Sequence, residues 1–411
     1  VAILGASGYV GSALFESLSR QEDITVVPIV RTLGKAWPLI RQGAKIVESD
    51  VRDVRQLTDA LNGCEVVVNC SLGLSTELVG NIRNIIRAAK TVRATQLIHL
   101  SSVTVYGNNP DELAHKEDGP VNAVKNTYGW YKAEQDKLVE KARQAGLHTV
   151  VLCLPHVTGR NARFFNKVST AIRQGKFALV EDGELPCNLV DVDNVCHAIE
   201  LAISAKKSIQ GRVFLTNGDN YTWKALATNA SEFFGNNSHD FPRIQRRDVR
   251  ESSEKPLPLR SVAQKVLSDP ETIGQLKRTR LANYRKLLRV LKAVRRMVGS
   301  KASATISTSN QQQSSEFDPD LLRQQLRGVR HSICKAQKEL NYEPLIDSTR
   351  SYSRYAECFR FEHGYDGPFR ELYLAINNEQ EIHFPLGVND ALDLPTKLPS
   401  QDLDSKESPQ E

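Results

Sequence analysis

The stretch "VAILGASGYVG", residues 1–11, passes from a short apolar segment into a glycine-rich turn and then into a helical pattern. Such a turn collects backbone N–H groups and the positive end of a helix dipole at one point, which suits a pyrophosphate. Gly5, Gly8 and Gly11 have GxxGxxG spacing, whereas GxGxxG is commoner, and glycines also serve tight turns. The position between a first strand and a first helix favours a nucleotide-binding loop over a simple turn.

The alternation of strand and helix continues to about residue 160. Helical patterns cover 11–20, 54–61, 75–90 and 126–145, and between them lie the apolar segments "ITVVPIV", "AKIVES", "EVVVNC", "TQLIHLSS" and "HTVVLCL". Continuously apolar strands are typical of a parallel sheet that helices cover on both faces. We therefore predict an α/β fold with a doubly wound parallel Rossmann sheet, followed by a smaller, partly helical substrate domain.

Beyond residue 160 the pattern loosens. We expect a strand at 211–218 and helices at 164–175, 192–205, 222–235 and, in one piece, 318–341. The predicted parts are a Rossmann domain at 1–235 with 160–200 contributing to the substrate cleft, a basic helical insertion or substrate-domain segment at 236–299, a flexible linker at 300–316, a C-terminal substrate-domain segment at 317–385 and a disordered tail at 386–411.

Positive charge is local in this chain. The net charge is +6, whereas residues 277–300 alone carry nine Lys or Arg and no acid. A broad basic face is absent, so we expect no nucleic acid as a partner. The apolar residues of this segment make one helical stripe, at Leu281, Tyr284, Leu288, Leu291, Val294 and Val298. Three interpretations stay open: a helix packed on the core, a lid that brings cations to an acidic substrate, or a helix at 277–298 in peripheral contact with an anionic membrane.

The cysteines show neither CxxC nor Cys/His metal-ligand spacing, and most lie in apolar runs. We therefore expect no metal and a reduced, cytoplasmic protein. No apolar run approaches the ~18 residues of a membrane span, and no signal peptide is evident. Because the chain begins inside a strand without Met, we expect a residue or two to be missing before Val1.

The ends of the second and third strands carry residues that would select the nucleotide. Arg31 stands where an NAD site places Asp or Glu, and Lys35 is nearby. A guanidinium suits a 2′-phosphate, so we predict that NADP(H) is preferred, with NAD(H) as the alternative; a merely solvated arginine is the other interpretation. Asp50 either accepts from the adenine amino group or caps the next helix.

Among eleven tyrosines, only Tyr128 has a lysine four residues on, at Lys132. One helical turn brings the ammonium beside the phenol, where a cation favours the phenolate and lowers the tyrosine pKa. Such a tyrosine can exchange a proton with a substrate hydroxyl while hydride moves to or from a nicotinamide. Ser102, in "HLSSVTVYG", could hydrogen-bond the same substrate oxygen. The order of these motifs behind the glycine loop predicts a catalytic group.

The motifs "GASGYVG", "SDVRD", "GNIRNIIRAA", "LSSVTVYG", "YGWYK", "LPHVTGR" and "VDVDNVCHAI" occur in a family order. The chain resembles an extended short-chain dehydrogenase/reductase of the NAD(P)-dependent epimerase/dehydratase family, over about 1–235 with a fainter echo at 330–345. The resemblance implies that Tyr128 is the general acid/base, that Ser102 orients the substrate and that Lys132 binds the nicotinamide ribose. Asn84 would be a structural residue of the central helix.

The resemblance also implies wider contact sets. Cofactor contacts are expected at Gly5, Ser7, Gly8, Tyr9, Val10, Gly11, Arg31, Asp50, Val51, Ser71, Ser101, Tyr128, Lys132, Pro155 and Val157. Substrate contacts are expected at Thr104, His156 and Asn166. For His156 the favoured alternative is a positioned, non-catalytic histidine.

Departures from the family pattern bear on the substrate. Leu154 replaces the arginine of an Arg-Pro pair, and Cys187 stands where sugar-nucleotide enzymes tend to place an arginine for the pyrophosphate. A buried cysteine cannot replace that charge-assisted contact, which argues against a UDP-sugar. Val103 and Thr104 occupy the Asp-Glu position of 4,6-dehydratases, which argues against dehydration. The "DNV" step is closer to the 3β-hydroxysteroid dehydrogenase branch.

These observations lead to an oxidoreductase or epimerase that transfers hydride at a secondary alcohol or ketone of a small sugar-like or sterol-like molecule. One alternative is a non-catalytic NADP-binding scaffold or sensor. Another is a membrane-surface reductase that uses the basic helix 277–298. A homodimer is expected by analogy with family members that associate through the helix of the YxxxK motif.

Overall fold

The computed structural model describes residues 1–205, 208–233, 240–249 and 317–363. The chain divides into two compact units, residues 1–356 and 357–411. The predicted basic helix at 277–298, the linker and the acidic tail all lie outside the described residues, as does the expected helix stop at Gly235. The division into a Rossmann and a substrate domain stays a prediction.

Seven parallel strands form the central sheet, in the order β10-β6-β5-β4-β1-β2-β3. The strands of the described residues are β1 (Ala2–Leu4), β2 (Val27–Val30), β3 (Val47–Glu48), β4 (Val66–Asn69), β5 (Gln96–Ser102), β6 (His148–Leu154), β7 (His156–Thr158), β8 (Leu179–Val180), β9 (Leu189–Asp191), β10 (Arg212–Phe214) and β11 (Arg243–Ile244). Because β1 pairs with both β2 and β4, the strand order reverses there. Ligands of open α/β sheets bind beyond the carboxyl ends of the strands at such a reversal.

Helices cover the sheet and extend beyond it. They are α1 (Tyr9–Leu18), α2 (Trp37–Arg41), α3 (Val54–Ala60), α4 (Leu78–Thr91), α5 (Tyr128–Gln144), α6 (Arg163–Arg173), α7 (Val192–Ser204), α8 (Trp223–Phe233), α9 (Pro319–Gln325), α10 (Cys334–Leu340) and α11 (Ser348–His363). Thr222 accepts a hydrogen bond from Ala225 N, as expected for the N-cap of α8. None of the described helices is long and apolar enough to cross a membrane.

The two faces of the sheet bury separate cores. Ile3 packs with Leu14 of α1 and Ile199 of α7 on one face. The neighbouring Leu4 packs with Ile85 of α4 on the other face, together with residues of α3 and α5. Each fully buried leucine or isoleucine contributes about 1.5–3 kcal/mol, so both faces of every strand favour apolar residues. The predicted doubly wound sheet is therefore confirmed.

The predicted single helix over 318–341 is wrong, because two helices, α9 and α10, occupy this range. Asn188 interrupts the pattern: its Nδ2 donates to Val329 O at 2.7 Å and its Oδ1 accepts from His331 N at 3.1 Å. Gly328 has a φ of 47°, a left-handed value that ends α-helical geometry. Tertiary hydrogen bonds have thus replaced helical ones between the two helices.

Candidate active site

The glycine loop joins β1 to α1 at the reversal of strand order. Gly5 has a φ of 77°, and a Cβ there would lie 2.8 Å from Ser71 Cα. At Gly11 a Cβ would lie 2.3 Å from Gly5 O, so both glycines are needed for close packing. Gly8 is the N-cap of α1, and no side chain caps the helix. Its first-turn N–H groups are thus available to an anion, as a pyrophosphate-binding loop requires.

Tyr9 has a structural role in this loop. Its hydroxyl lies 2.9 Å from Thr158 O and 2.8 Å from Arg160 O, so it ties the glycine loop to the segment that follows β7. Ser7 is partly buried, and Val10 packs against the core. The hydroxyl of Tyr9 therefore serves protein contacts, although the residue was expected to contact the cofactor.

Residues expected to select the nucleotide lie at the ends of β2 and β3. Arg31 is exposed directly after β2. The carboxylate of Asp50 is 2.6 Å from Arg52, whose hydrogen bonds, with a further contribution from the charge of Arg31, lower the pKa of Asp50. The interpretation of Asp50 as a helix cap is wrong, because Asp53 caps α3.

Asn84 holds the loop after β3 from the adjacent helix α4. Its Nδ2 donates to Val51 O at 3.1 Å and to Arg52 O at 3.0 Å. A side-chain amide that satisfies two loop carbonyls fixes the backbone at Val51, one of the expected cofactor contacts. The expected structural role of Asn84 is confirmed.

The motifs of β5 and α5 meet where β5 ends. Ser102 Oγ lies 3.1 Å from Thr104 Oγ1 and 3.3 Å from Thr104 N in the following turn. A Cβ on Gly129 would lie 2.1 Å from Thr104 O, so only glycine lets the first turn of α5 pack this closely. The packing places Tyr128, the first residue of α5, next to the turn that follows Ser102. The sequence shows this glycine between Tyr128 and Lys132, but its contact depends on the fold.

Lys132 lies inside the protein. Its Nζ donates to Leu100 O at 2.9 Å and is 5.9 Å from the ring centroid of Tyr128. Burial lowers the pKa of Lys132 to about 8, against the opposing effect of the Asp136 carboxylate. The ammonium is therefore partly deprotonated just above neutral pH.

The expected lowering of the tyrosine pKa is not found. Burial of the hydroxyl, followed by the charge of Asp136, raises the pKa of Tyr128 above its usual range. The residue as a whole is 37% exposed, but the surroundings of its hydroxyl are buried. Desolvation of the phenolate is thus the largest cause, and the ammonium of Lys132 is engaged by the Leu100 carbonyl.

A buried polar network that the sequence did not reveal lies behind Lys132. Asp136, one turn further along α5, accepts from Ser101 Oγ at 2.8 Å and from Arg212 Nε at 2.6 Å. The hydroxyl of Ser101, an expected cofactor contact, is thus used within the protein. The spacing Tyr128, Lys132, Asp136 marks one face of α5, and this periodicity is the signal that could have identified Asp136.

The network continues to the glycine loop through His99. Asn69 Nδ2 donates to His99 Nδ1 at 3.0 Å, which leaves the proton of the neutral ring on Nε2, 3.7 Å from Asp136 Oδ1. Burial holds the pKa of His99 well below its usual value, so the ring is neutral. Asn69 Oδ1 accepts from Ser71 Oγ at 2.6 Å, and Ser71 packs against Gly5.

The segment after β6 packs on a buried aromatic cluster. His156, between the partly buried Pro155 and Val157, stacks on Phe164 with centroids 4.0 Å apart, and Phe164 meets Trp223 edge-on at 5.8 Å. Burial, followed by the charges of Arg327 and Lys167, lowers the pKa of His156 to about 3. A histidine with this pKa carries no charge at neutral pH.

Asn166 and Cys187 complete the residues singled out from the sequence. Asn166 is exposed on α6, and its Oδ1 accepts from Thr170. No described contact joins Asn166 to the residues around Tyr128. Cys187 is buried, and burial raises the pKa of its thiol, so no charge arises there. Among the described residues, no cluster of His, Cys, Asp or Glu could hold a metal ion.

The chain resembles a protein family, individual protein sequences and solved structures. The model of the NAD dependent epimerase/dehydratase family matches residues 1–215. Sterol-4-alpha-carboxylate 3-dehydrogenase, decarboxylating, of Dictyostelium discoideum is 25% identical over 249 residues, which are 56% of this chain and 74% of the relative. Quinone oxidoreductase 2 of Escherichia coli is 34% identical over 105 residues, 24% of this chain and 37% of the relative.

Solved structures share the fold. dTDP-glucose 4,6-dehydratase of Bacillus anthracis, in complex with NAD, has a TM-score of 0.59 at 12% identity, covering 90% of this chain and 98% of its own. UDP-glucuronic acid 4-epimerase of Bacillus cereus, in complex with NAD, has a TM-score of 0.58 at 14% identity, covering 90% and 99%. Because the family model spans more than half of the chain, the protein belongs to the NAD dependent epimerase/dehydratase family and is an enzyme of the extended short-chain dehydrogenase/reductase type.

Proposed function

We propose that the protein is an NAD(P)-dependent oxidoreductase that acts on a secondary alcohol or ketone through Ser102, Tyr128 and Lys132. The observation that carries the proposal is the packing of Gly129 against Thr104, which holds Tyr128 beside the turn after Ser102. The glycine loop lies at the same edge of the sheet, with α1 uncapped by any side chain. A bound nicotinamide would supply or accept the hydride.

Each residue of the catalytic group has a separate task. Tyr128 is protonated at neutral pH, because its pKa is raised, so it can donate a proton to a ketone oxygen. Ser102 can hydrogen-bond the same oxygen and orient it. Lys132 supplies the positive charge that would favour the phenolate in the reverse direction, provided that it is protonated.

A hydrophobic, sterol-like substrate fits the cleft better than a sugar nucleotide. The partly buried His156 stacks on the buried Phe164, which contacts the buried Trp223, so an aromatic cluster lies behind His156, and the buried Cys187 offers no charge to a pyrophosphate. Exposed apolar side chains occur in the loop after β4, at Leu72, and before α5, at Val124. The sterol dehydrogenase of Dictyostelium discoideum, with its 25% identity, supports the same choice.

The substrate proposal is tested by incubating the protein and NADP⁺ with a 3β-hydroxysteroid or with UDP-glucose. Absorbance of the reduced nicotinamide reports oxidation of either compound, and chromatography of the sugar nucleotide reports epimerisation, in which the hydride returns and no reduced nicotinamide accumulates. We expect turnover with the steroid and none with the sugar nucleotide, because no cation replaces the missing pyrophosphate contact at Cys187. Turnover with UDP-glucose alone would overturn the sterol-like assignment and leave the sugar-like alternative.

NADP(H) is the preferred cofactor in this proposal. Arg31 is exposed at the end of β2, where a carboxylate would repel a 2′-phosphate, and Lys35 follows within a short 3₁₀ turn. Titration of the protein with NADPH and NADH should give tighter binding of NADPH, and the difference should shrink in Arg31→Ala. Equal affinities in the unmodified protein would contradict this preference.

A further inference from the structure

Arg327 lies between the two loops that flank the catalytic edge of the sheet. Its Nη2 is 3.5 Å from Asn108 Oδ1, in the loop after β5, and its charge lowers the pKa of His156, which follows β6. Ser102 ends β5, and Leu154 ends β6. The guanidinium therefore reaches the same edge of the sheet as the proposed catalytic group.

No acidic partner compensates the charge of Arg327 within the part of the chain that the structure describes. Its Nε is buried without a hydrogen bond, and its contact with Asn108 is long and involves a neutral amide. Other partly buried arginines differ, since Arg212 contacts Asp136 at 2.6 Å and Arg354 contacts Asp193 at 2.6 Å. A partly buried charge without an ionic partner is destabilising, and a bound anion would offset this cost.

Burial lowers the pKa of Arg327, with no other cause contributing. Arginine starts from so high a value that its guanidinium stays charged in proteins. A permanently charged group without an acidic partner among the described residues is unusual for a purely structural arginine, because replacing it with an apolar side chain would remove the desolvation cost.

The neighbouring basic groups cannot take the place of Arg327. Lys167 already contacts Asp318 at 3.3 Å and Asp320 at 3.5 Å. His156 is neutral at physiological pH and uses its face to stack on Phe164. Among the described residues, Arg327 is therefore a cation without a carboxylate partner near the partly buried ring of His156, a combination that fits a singly charged anion carried by a hydrophobic ring.

We propose that Arg327 binds a carboxylate of the substrate, and that the substrate is a hydrophobic, ring-containing hydroxy or keto acid. The inference rests on the proposed function for the position of the reacting carbon. The planar guanidinium can hold a carboxylate through two parallel hydrogen bonds, which fixes the acid and thereby orients the ring beside His156. Arg327 would thus select acidic substrates over neutral analogues.

The test measures binding of two probes of equal shape, cyclohexanecarboxylate and cyclohexanecarboxamide, to the full chain in the presence of NADP⁺ by ligand-observed NMR. We expect the acid to bind more tightly than the amide. Arg327→Gln should weaken acid binding about 10- to 100-fold, as expected for a charge-assisted pair, and leave amide binding unchanged. Arg323→Gln is the matched control, because Arg323 is already paired with Asp320.

Two outcomes would overturn the inference: acid and amide binding alike in the unmodified protein, including no binding of either, or equal loss of both in Arg327→Gln. Arg327→Lys is the control for misfolding. Because lysine keeps the positive charge, this variant should retain part of the preference for the acid. Failure of the proposed function is distinguishable, because the Tyr128→Phe variant has no bearing on acid binding. Retained turnover in that variant would reject the catalytic role while the probes still test Arg327.

Discussion

Lys132 shows how burial changes the chemistry that sequence spacing predicts. The four-residue step from Tyr128 is present in α5, but the lysine ammonium donates to Leu100 O and the pKa of the tyrosine is raised. Spacing determines which residues share a helix face, whereas the pKa depends on desolvation, which only the complete fold defines. The identities of both residues could be predicted from the sequence; their ionisation could not.

The buried polar network around Asp136 could not be predicted from the sequence for a different reason. Asp136 and Arg212 are 76 positions apart, and His99 reaches the same carboxylate from β5. No local pattern links these positions, because the parallel order of β5, β6 and β10 brings them together. Asp136 does not contact the expected reacting atoms, so we regard it as a positioning residue that acts through Lys132.

Asp136→Asn should change the pH profile of turnover. The protonated form of Lys132 is lost as pH rises through about 8, so turnover that needs this charge should decline above that pH. The Asp136 carboxylate raises the pKa of Lys132, and its removal should therefore move the alkaline limb to lower pH. An unchanged limb in a variant with measurable turnover would contradict the role of Asp136.

The same substitution should also lower thermal stability. Arg212 would lose its carboxylate partner in a buried site, a change that typically costs about 3–5 kcal/mol. A melting temperature equal to that of the unmodified protein would show that the pair contributes nothing to the fold. This readout remains informative if the variant is too unstable for kinetics.

At the level of elements, hydrophobic pattern predicted the sheet well. Segments that are apolar at every position became strands with one core on each side, as Ile3 and Leu4 illustrate. The single helix expected over 318–341 failed because Asn188, far away in sequence, donates a hydrogen bond to Val329 O and accepts one from His331 N. The helical periodicity of a sequence gives no indication of tertiary hydrogen bonds that replace the helical ones.

The proposed catalytic group depends on the contact between the start of α5 and the turn after Ser102. Gly129→Ala would place a Cβ 2.1 Å from Thr104 O, so the helix must move away from the turn after Ser102. We expect turnover to fall about tenfold or more, with a loss of about 1–3 kcal/mol in unfolding free energy. Denaturant unfolding and steady-state kinetics measure the two effects.

Gly80→Ala is the matched control for this prediction. Gly80 lies in α4, and a Cβ there meets nothing within 4 Å. Alanine should stabilise the helix by about 0.5–1 kcal/mol and leave turnover unchanged. Normal turnover in Gly129→Ala would show that the position of Tyr128 does not depend on this packing.

For the whole molecule, the predicted family and the predicted fold are confirmed. The homodimer remains a prediction by analogy. The basic segment 277–300 lies outside the described residues, so the three interpretations of its apolar stripe stay predictions. Among the three interpretations, we slightly favour a helix packed on the core with a solvated basic face.

Deletion of residues 277–316, combined with liposome co-sedimentation, separates the three interpretations. A helix packed on the core should show no lipid binding in the full chain, and its deletion should lower the melting temperature. Lipid binding that the deletion abolishes, with turnover retained, would instead identify a membrane-surface helix. Loss of turnover without lipid binding or destabilisation would identify a lid.

The catalytic role of Tyr128 is tested most directly by Tyr128→Phe, assayed with a substrate that the unmodified protein turns over. The substitution removes one hydroxyl and keeps the ring, so the start of α5 and its packing through Gly129 are preserved. Turnover should fall by about 10²- to 10⁴-fold, the usual contribution of a general acid/base, while the Kd for NADPH stays the same. Undiminished turnover at an unchanged Kd would contradict the assignment of Tyr128 as the proton-transferring residue.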